Sequence, residues 1–301
     1  MSITKPAVAT EESFDLAEGP FWDPIRQQLL WVDIRTGTVL VGTLNDDGTI
    51  TPIDRVTFPG SVGAVAVSAS GEWIVAGAER ILMRSATGEV SEGPRVIPPG
   101  TGSRLNDGKP DPAGRFLVGT LRLEGESTHE LLALVGHGGE VDVIDNDLTL
   151  SNGLAWSADG TTLFNVDTLS RTIFTRPYDP DTGVTGERST FLQVAEGSPD
   201  GICMDVEGHL WLALWGLGLV QRYSPAGELA RVFEIPAPHT SSVAFGGPDL
   251  DTLVITTATQ DLTDEQRVAY PLSGRLFTFK PGVRGVAQSL WRGSVSASPD
   301  R

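Results

Sequence analysis

A unit of two short apolar segments joined by a turn recurs along this chain, and it limits the possible folds more than any other feature. In the copy at residues 198–215, the apolar segments are residues 202–204 and 210–215, and residues 205–208 form the turn. Short apolar runs bounded by turn-forming residues favour β-strands over helices. Related copies lie at residues 18–32, 63–76, 106–119, 151–165 and 242–256.

The spacing of the copies predicts the architecture. Their turns fall at residues 23, 68, 111, 157, 205 and 247, so that consecutive turns are 42 to 48 residues apart. A period in the forties built from short strands is typical of a β-propeller, in which each repeat forms one blade. We therefore predict an all-β fold: a six-bladed β-propeller of four-stranded antiparallel blades. No linker or charge block divides the chain, which favours a single domain over residues 1–301.

A propeller has to join its first blade to its last, usually with strands from both ends of the chain. Segments 8–14, 275–279 and 286–291 are available for this closure. Two other segments do not fit the repeat. Residues 121–130 are polar and predict a loop that overhangs one face, and residues 260–271 form an insertion with a turn of helix near 263–267.

Composition excludes several classes of function. The formal net charge of −17 disfavours nucleic acid and anionic membranes as partners, because both require clustered cations. Cys203 is the only cysteine and lies within an apolar segment, which predicts an inert buried thiol and excludes a disulfide within the chain. No apolar stretch has the length of a signal peptide or a membrane span, so a cytoplasmic protein is expected. The oligomeric state, monomer or small homo-oligomer, stays open.

Equivalent positions of different blades meet around the central axis of a propeller. The position five residues before each turn is occupied, in order, by Glu18, Gly63, Asn106, Asn152, Asp200 and Ser242. Four of the six are carboxylates or carboxamides, and a ring of oxygen donors suits a hard divalent cation. The alternative is that these side chains only form local turns with their own backbone. Their common register, which includes Glu18 as a poor turn residue, favours a site.

Other catalytic motifs are missing from the sequence. It contains no Gly-x-Ser-x-Gly elbow, no His-Glu-x-x-His zinc motif, no phosphate-binding Gly-Lys-Ser/Thr loop and no Cys-x-x-Cys pair. Of the histidines, His239 precedes the sixth inner strand and is the one that could reach the mouth of the propeller. Trp22 and Trp156 follow Glu18 and Asn152 by four residues, which predicts a core layer rather than a ligand cage.

The motifs resemble those of the regucalcin/gluconolactonase family of propeller lactonases, in its bacterial sugar-lactonase branch. The matching segments, from about Glu18 to Phe279, are Glu18-Gly-Pro20, Arg104-Leu-Asn-Asp-Gly-Lys109, Leu150-Ser-Asn-Gly153, Pro199-Asp-Gly-Ile-Cys203 and Phe245-Gly-Gly247. The resemblance implies that Glu18, Asn152 and Asp200 bind one divalent metal ion. It also implies that Arg104, Asn106 and Glu124 contact the substrate. Asp107, inside the second motif, is expected to orient the loop of Arg104.

The implied activity is metal-dependent hydrolysis of a sugar lactone, such as glucono-, xylono- or arabinono-lactone, to the aldonic acid. Asp200 is the expected general base, because a carboxylate can accept the proton of the attacking water. An all-oxygen ligand set is compatible with calcium, zinc, manganese, magnesium or iron. Alternatives are a calcium-binding regulatory propeller, a non-catalytic interaction propeller, and a hydrolase of other lactones or of phosphotriesters.

Overall fold

The predicted repeats form six four-stranded antiparallel sheets in the computed structural model, which describes residues 5–293. The predicted domain also includes residues 1–4 and 294–301, which lie outside the described residues. In chain order the strands are β1 (Ala7–Val8), β2 (Ala17–Asp23), β3 (Gln28–Asp33), β4 (Thr38–Leu44), β5 (Ile50–Thr57), β6 (Ala64–Val67), β7 (Trp73–Ala76), β8 (Arg80–Arg84), β9 (Val90–Arg95), β10 (Ser103–Pro110), β11 (Phe116–Arg122), β12 (Glu130–Val135), β13 (Val141–Leu148), β14 (Ser151–Trp156), β15 (Thr162–Asp167), β16 (Thr172–Pro177), β17 (Ser189–Gln193), β18 (Ser198–Met204), β19 (Leu210–Trp215), β20 (Leu219–Tyr223), β21 (Leu229–Glu234), β22 (Thr240–Gly246), β23 (Thr252–Thr257) and β24 (Phe277–Phe279).

Each blade of the described chain contains consecutive strands, except the last. Blades one to five are β2–β5, β6–β9, β10–β13, β14–β17 and β18–β21, and blade six has the order β22–β23–β24–β1. The first strand of each blade is innermost, and the inner strands contact one another around the central axis. The fold class predicted from the repeat is therefore confirmed.

Blade six closes the ring with strands from both ends of the chain. Ala7 of β1 lies opposite Thr278 of β24 in an antiparallel pair, as the sequence predicted for segments 8–14 and 275–279. Segment 286–291 is not a strand of this blade. Its two ends bind the inner strands of other blades instead. Val286 N–H donates to Met204 O of blade five, and Trp291 N–H donates to Val67 O of blade two, both at 2.9 Å.

Aspartates fasten the inner hairpin at three of the six repeating turns, at residues 23, 111 and 205. The Oδ1 atom of Asp205 accepts hydrogen bonds from two backbone amides of its own turn, and its Oδ2 atom accepts from Trp211 Nε1 and Arg222 Nε at 2.9 and 2.8 Å. Asp111 makes the same turn and accepts from Arg115 and Tyr178. Buried carboxylates with this many donors stabilise the turns and have no free lone pairs for a ligand.

The core confirms the predicted placement of the apolar segments. The central strands are almost entirely buried, and Trp31 and Trp211 are among the largest fully buried side chains. Trp22 and Trp156 are also buried, as a core layer requires. Cys203 is a buried free thiol whose pKa is raised to about 12 by burial, in agreement with the prediction that it is inert.

The insertion before β24 carries the one α-helix of the described chain, α1 (Asp264–Ala269). Thr263 is its N-cap and forms a capping box with Gln266, which satisfies amides that the first turn leaves unpaired. None of the helix residues is buried. No helix between residues 5 and 293 is long and apolar enough to cross a membrane.

Candidate active site

The entry ends of the inner strands surround one pocket on the central axis. This pocket has a volume of about 240 Å³ and its floor is polar. Five predicted residues from four blades line it: Glu18, Arg104, Asn106, Asn152 and Asp200. The carboxylates and carboxamides of this set are almost completely buried. Residues up to 182 positions apart in sequence therefore share one site, as the common register predicts.

Irregularities in the inner strands aim these side chains at the axis. The pairing register of β2 with β3 shifts after Glu18, that of β14 with β15 after Asn152, and that of β18 with β19 after Pro199. An extra residue in one strand of a pair bends that strand and redirects its side chains. The site residues are thus turned toward the pocket by bulges that recur from blade to blade.

Glycines beside these bulges let neighbouring inner strands come close together. A Cβ atom added to Gly153 would lie 2.4 Å from the backbone oxygen of Asp200, and one added to Gly201 would lie 2.0 Å from Ser242 Oγ. Gly63 occupies the ring position of blade two, where a Cβ atom would lie 2.2 Å from the backbone oxygen of Asn106. Blade two therefore contributes no side chain to the ring because it has no room for one.

Glu18 and Asp200 form an acidic pair on the floor of the pocket. Burial raises the pKa of both carboxyl groups, and the negative charge of Asp107 raises both further; the charge of Glu18 also raises the pKa of Asp200. The amide of Gly19 donates to Glu18 Oε2 at 2.8 Å. By contrast, Asp200 Oδ1 is buried and has no hydrogen-bond partner among the described residues. An orphaned carboxylate oxygen of this kind is rare in folded proteins and indicates a missing partner.

Arg104 lies beside the acidic pair. Its Nη1 atom donates to Leu105 O and to Asn106 Oδ1, both at 2.9 Å. Burial lowers the pKa of Arg104 to about 10, and the charges of Glu18 and Asp200 oppose this shift. The guanidinium is therefore charged at neutral pH. Asn106 is itself anchored to blade four, since its Nδ2 atom donates to the backbone oxygen of Ser151 at 3.0 Å.

Two residues below the pocket come from the same motif. The carboxylate of Asp107 accepts a hydrogen bond from the amide of Gly108 at 2.8 Å. This bond lies within the backbone segment that follows Arg104 and does not involve the Arg104 side chain. Lys109 Nζ donates to the backbone oxygens of Leu154 and Ile202 at 2.8 and 3.2 Å. Lys109 thus joins the inner strands of blades three, four and five, which carry four of the five floor residues.

The structure does not bring Glu124 into the pocket. It is exposed in the loop between β11 and β12 and is not among the residues that line the cavity. His239 does not line the pocket: its ring stacks on Trp215, which does, at 4.2 Å, and its Nδ1 atom is 2.8 Å from Gln260 O. Burial lowers the pKa of His239, so the ring is neutral at physiological pH.

Sequence reasoning missed Thr168. This buried residue follows β15, lines the pocket and contacts Asn152, whose Nδ2 atom donates to Thr168 Oγ1 at 3.2 Å. The hydroxyl of Thr168 in turn donates to Pro199 O at 2.8 Å, next to Asp200. Thr168 therefore ties two of the predicted metal ligands together. The inner-strand repeat gives no signal for it, because it lies at the far end of the second strand.

The floor residues suit a divalent cation. Glu18, Asn152 and Asp200 offer oxygen atoms from three blades, and the unpaired Oδ1 atom of Asp200 lies among them. Hard cations prefer such carboxylate and amide oxygens. A second acidic cluster, formed by Asp205, Glu207 and His209, has three potential ligand atoms within 4.8 Å of one another. It fits a metal poorly, because protein donors already occupy both oxygens of Asp205.

Comparisons with known proteins agree with this geometry. Residues 16–259 match the family described as "SMP-30/Gluconolactonase/LRE-like region". The chain is 33% identical to regucalcin of Xenopus laevis and 34% identical to a 6-deoxy-6-sulfogluconolactonase of Pseudomonas putida, in each case over 97% of this chain and 100% of the relative. It also resembles the crystal structure of a calcium-binding protein, regucalcin, from Agrobacterium tumefaciens, with a TM-score of 0.89 and 29% identity over 97% of this chain and 98% of that one.

Proposed function

Since the chain belongs to the SMP-30/gluconolactonase/LRE-like family, we propose that it hydrolyses sugar lactones with the help of one bound divalent cation. Candidate substrates are glucono-, xylono- and arabinono-lactone. The observation that carries the proposal is the convergence of Glu18, Asn152 and Asp200 with Arg104 on the floor of one pocket. Oxygen donors for a cation and a charged donor for a substrate thereby lie side by side.

Glu18, Asn152 and Asp200 are the proposed metal ligands. Two carboxylates and one carboxamide would leave a divalent cation nearly neutralised, and the buried Oδ1 atom of Asp200 would gain the partner that it lacks. Such a cation, when bound, polarises a carbonyl group and lowers the pKa of water. Thr168 would keep Asn152 and the Pro199–Asp200 backbone at a fixed separation through its two hydrogen bonds.

Arg104 is the proposed substrate-binding residue. Its guanidinium is held by Leu105 O and by Asn106 Oδ1, so its direction is fixed before the substrate arrives. A preoriented donor that binds the sugar hydroxyls places the lactone carbonyl above Glu18 and Asp200, and orientation of this kind lowers the activation barrier. Asn106 acts mainly by positioning Arg104, since both ends of its carboxamide are already engaged.

Asp200 is the proposed proton acceptor. A water molecule attacks the carbonyl carbon, and Asp200 accepts one of its protons. The bond between that carbon and the ring oxygen then breaks, and the ring oxygen takes up the proton held by Asp200 to become a hydroxyl group, which regenerates the carboxylate. The product is the open hydroxy acid, which ionises to the aldonate at neutral pH. A lactone is an activated ester, so these contributions suffice without a covalent intermediate.

A second candidate function is calcium binding without catalysis, since the Agrobacterium structure is named a calcium-binding protein. The arrangement of Arg104 favours an enzyme, because holding an ion does not require a partly buried cation beside the ligands. A phosphotriesterase would use the same residues on the floor of the pocket. Assays with phosphotriesters and lactones distinguish that activity from the proposed one.

The test is chelation followed by addition of single cations. The protein is stripped of metal and assayed by proton release against a panel of aldonolactones and phosphotriesters, with each cation restored in turn. We expect loss of lactone hydrolysis on chelation and recovery with at least one cation. The variant Arg104→Ala should bind the cation with an unchanged stoichiometry but hydrolyse lactones more slowly. Cation binding without any hydrolysis by the wild type would favour the regulatory role, and full activity of the stripped protein would contradict the metal site.

A further inference from the structure

The pocket of the candidate active site has two unlike halves. Its floor is polar, whereas Leu121, Leu150, Leu169 and Trp215 form an apolar wall in the rest of the lining, which also contains the polar residues Ser198, Gln260 and Asp261. Leu169 is 53% exposed, and the other three are partly exposed. Large apolar side chains that stay open to solvent at the mouth of a pocket indicate an apolar ligand surface.

Bridges between neighbouring blades hold this wall in place. Leu121 at the end of β11 pairs with Leu150 across the gap between blades three and four. Trp215 at the end of β19 pairs with His239 across the gap between blades five and six. The indole of Trp215 also stacks on the imidazole of His239, with an angle of 10° between the rings. Backbone pairing thus holds three of the four wall residues in place, and binding does not have to order them.

The charges around the pocket disfavour a ligand with an anionic group near the mouth of the pocket. Arg104 is the only cation among the residues that line the cavity, and it lies on the floor beside Glu18 and Asp200. The charged residue at the rim is Asp261, which is exposed. A phosphate or sulfonate held near the mouth would meet a carboxylate and no lining cation, and like charges brought together weaken binding.

We propose that this site selects uncharged sugar lactones that carry a methyl or other alkyl group at the end distant from the carbonyl. The proposal rests on the proposed lactonase function, which places the carbonyl and the nearest hydroxyls on the floor. The distal end of the substrate then lies against Leu169 and Trp215. An alkyl group buried there gains hydrophobic contact, whereas a hydroxyl group loses hydrogen bonds to water and finds an apolar wall.

Matched pairs of lactones test this specificity. Galactonolactone and fuconolactone differ only in the hydroxyl group at carbon six, and so do mannonolactone and rhamnonolactone of the same series. We expect kcat/KM to be roughly 10-fold higher for the deoxy member of a pair, the discrimination typical of a single group in an apolar pocket. Gluconolactone with and without a 6-phosphate forms a third pair, and we expect the phosphorylated member to react at least about 10-fold more slowly.

The variant Leu169→Asn places an amide on the wall and should reduce the preference for the deoxy lactone to about 2-fold or less. Leu229→Asn is the matched control, because Leu229 is 52% exposed on the outer strand β21, far from the pocket. This control should keep the wild-type preference. Equal rates within a pair, or faster reaction of the hydroxylated or phosphorylated member, would overturn the proposal while leaving the lactonase function standing. Failure to hydrolyse any lactone with any cation would instead overturn the proposed function and this proposal with it.

Discussion

The substitution Gly153→Ala tests whether the close approach of the inner strands holds the candidate metal site together. The added Cβ atom would lie 2.4 Å from the backbone oxygen of Asp200, with side-chain atoms of Val166 and Ile202 at 2.9 and 3.0 Å. The neighbour at 2.4 Å is backbone and cannot rotate away, so blades four and five have to separate. Overpacking of this kind costs about 1–3 kcal/mol of unfolding free energy. Because Gly153 lies between Asn152 and Asp200, the same movement should weaken cation binding by about 10- to 100-fold, the typical cost of disturbing the groups that support metal ligands.

The control for this experiment is Gly246→Ala at the other end of an inner strand. Its Cβ atom would meet Leu44 and Trp22 at 3.5 Å, which is ordinary van der Waals contact, and its backbone is not left-handed. Both variants gain the same small stabilisation from a stiffer unfolded chain, so their difference isolates the clash. Chemical denaturation gives the unfolding free energy, and calorimetric titration gives the cation affinity. Equal stability and affinity in the two variants would refute the reasoning.

Three further predictions concern individual groups of the site. Asp200→Asn keeps one ligand oxygen but removes the proton acceptor, so activity should fall by roughly 100-fold at saturating metal; recovery of near-normal turnover at higher metal would show that Asp200 only holds the ion. Lys109→Met removes two hydrogen bonds to backbone oxygens of blades four and five and should lower the unfolding free energy by about 1–3 kcal/mol in urea denaturation, whereas an unchanged midpoint would contradict its role. The pKa values of Glu18 and Asp200 are raised in the folded, metal-free protein, so the two carboxyl groups bind protons more tightly in the folded than in the unfolded chain. Protonation of these groups therefore stabilises the fold at low pH, and this stabilisation is lost as the pH rises through the raised pKa values. A cation should therefore raise the melting temperature more at pH 8 than at pH 6, and the opposite order in a thermal melt would contradict the assignment of these ligands.

Much of this fold follows from the sequence because the repeat specifies both the blades and their register. The position five residues before each turn places Glu18, Asn152 and Asp200 in one pocket, since equivalent residues of a propeller meet at the axis. The same rule identifies Gly63 as the equivalent residue of blade two but does not explain why a glycine stands there. Gly63 is required there by the backbone of Asn106, a contact between blades that no single repeat reveals.

The remaining features depend on segments that the repeat does not define. Glu124 was placed by resemblance alone, and the loop that carries it leaves it exposed and outside the pocket lining. Thr168 and Trp215 lie at the ends of second strands, where only the neighbouring blade determines their contacts. Segment 286–291 was also available for closing the ring but crosses the base of the propeller, because β1 already fills the outer edge of blade six.

The most direct test of the metal site is the position of a bound cation. A crystal grown with Ca²⁺ should show a single strong density peak on the central axis, at about 2.3–2.6 Å from oxygens of Glu18, Asn152 and Asp200. In the same map, Asp200 Oδ1 should have this ion as its partner. A peak at Asp205, Glu207 and His209 instead, or water alone between Glu18 and Asp200 at saturating Ca²⁺, would contradict the account.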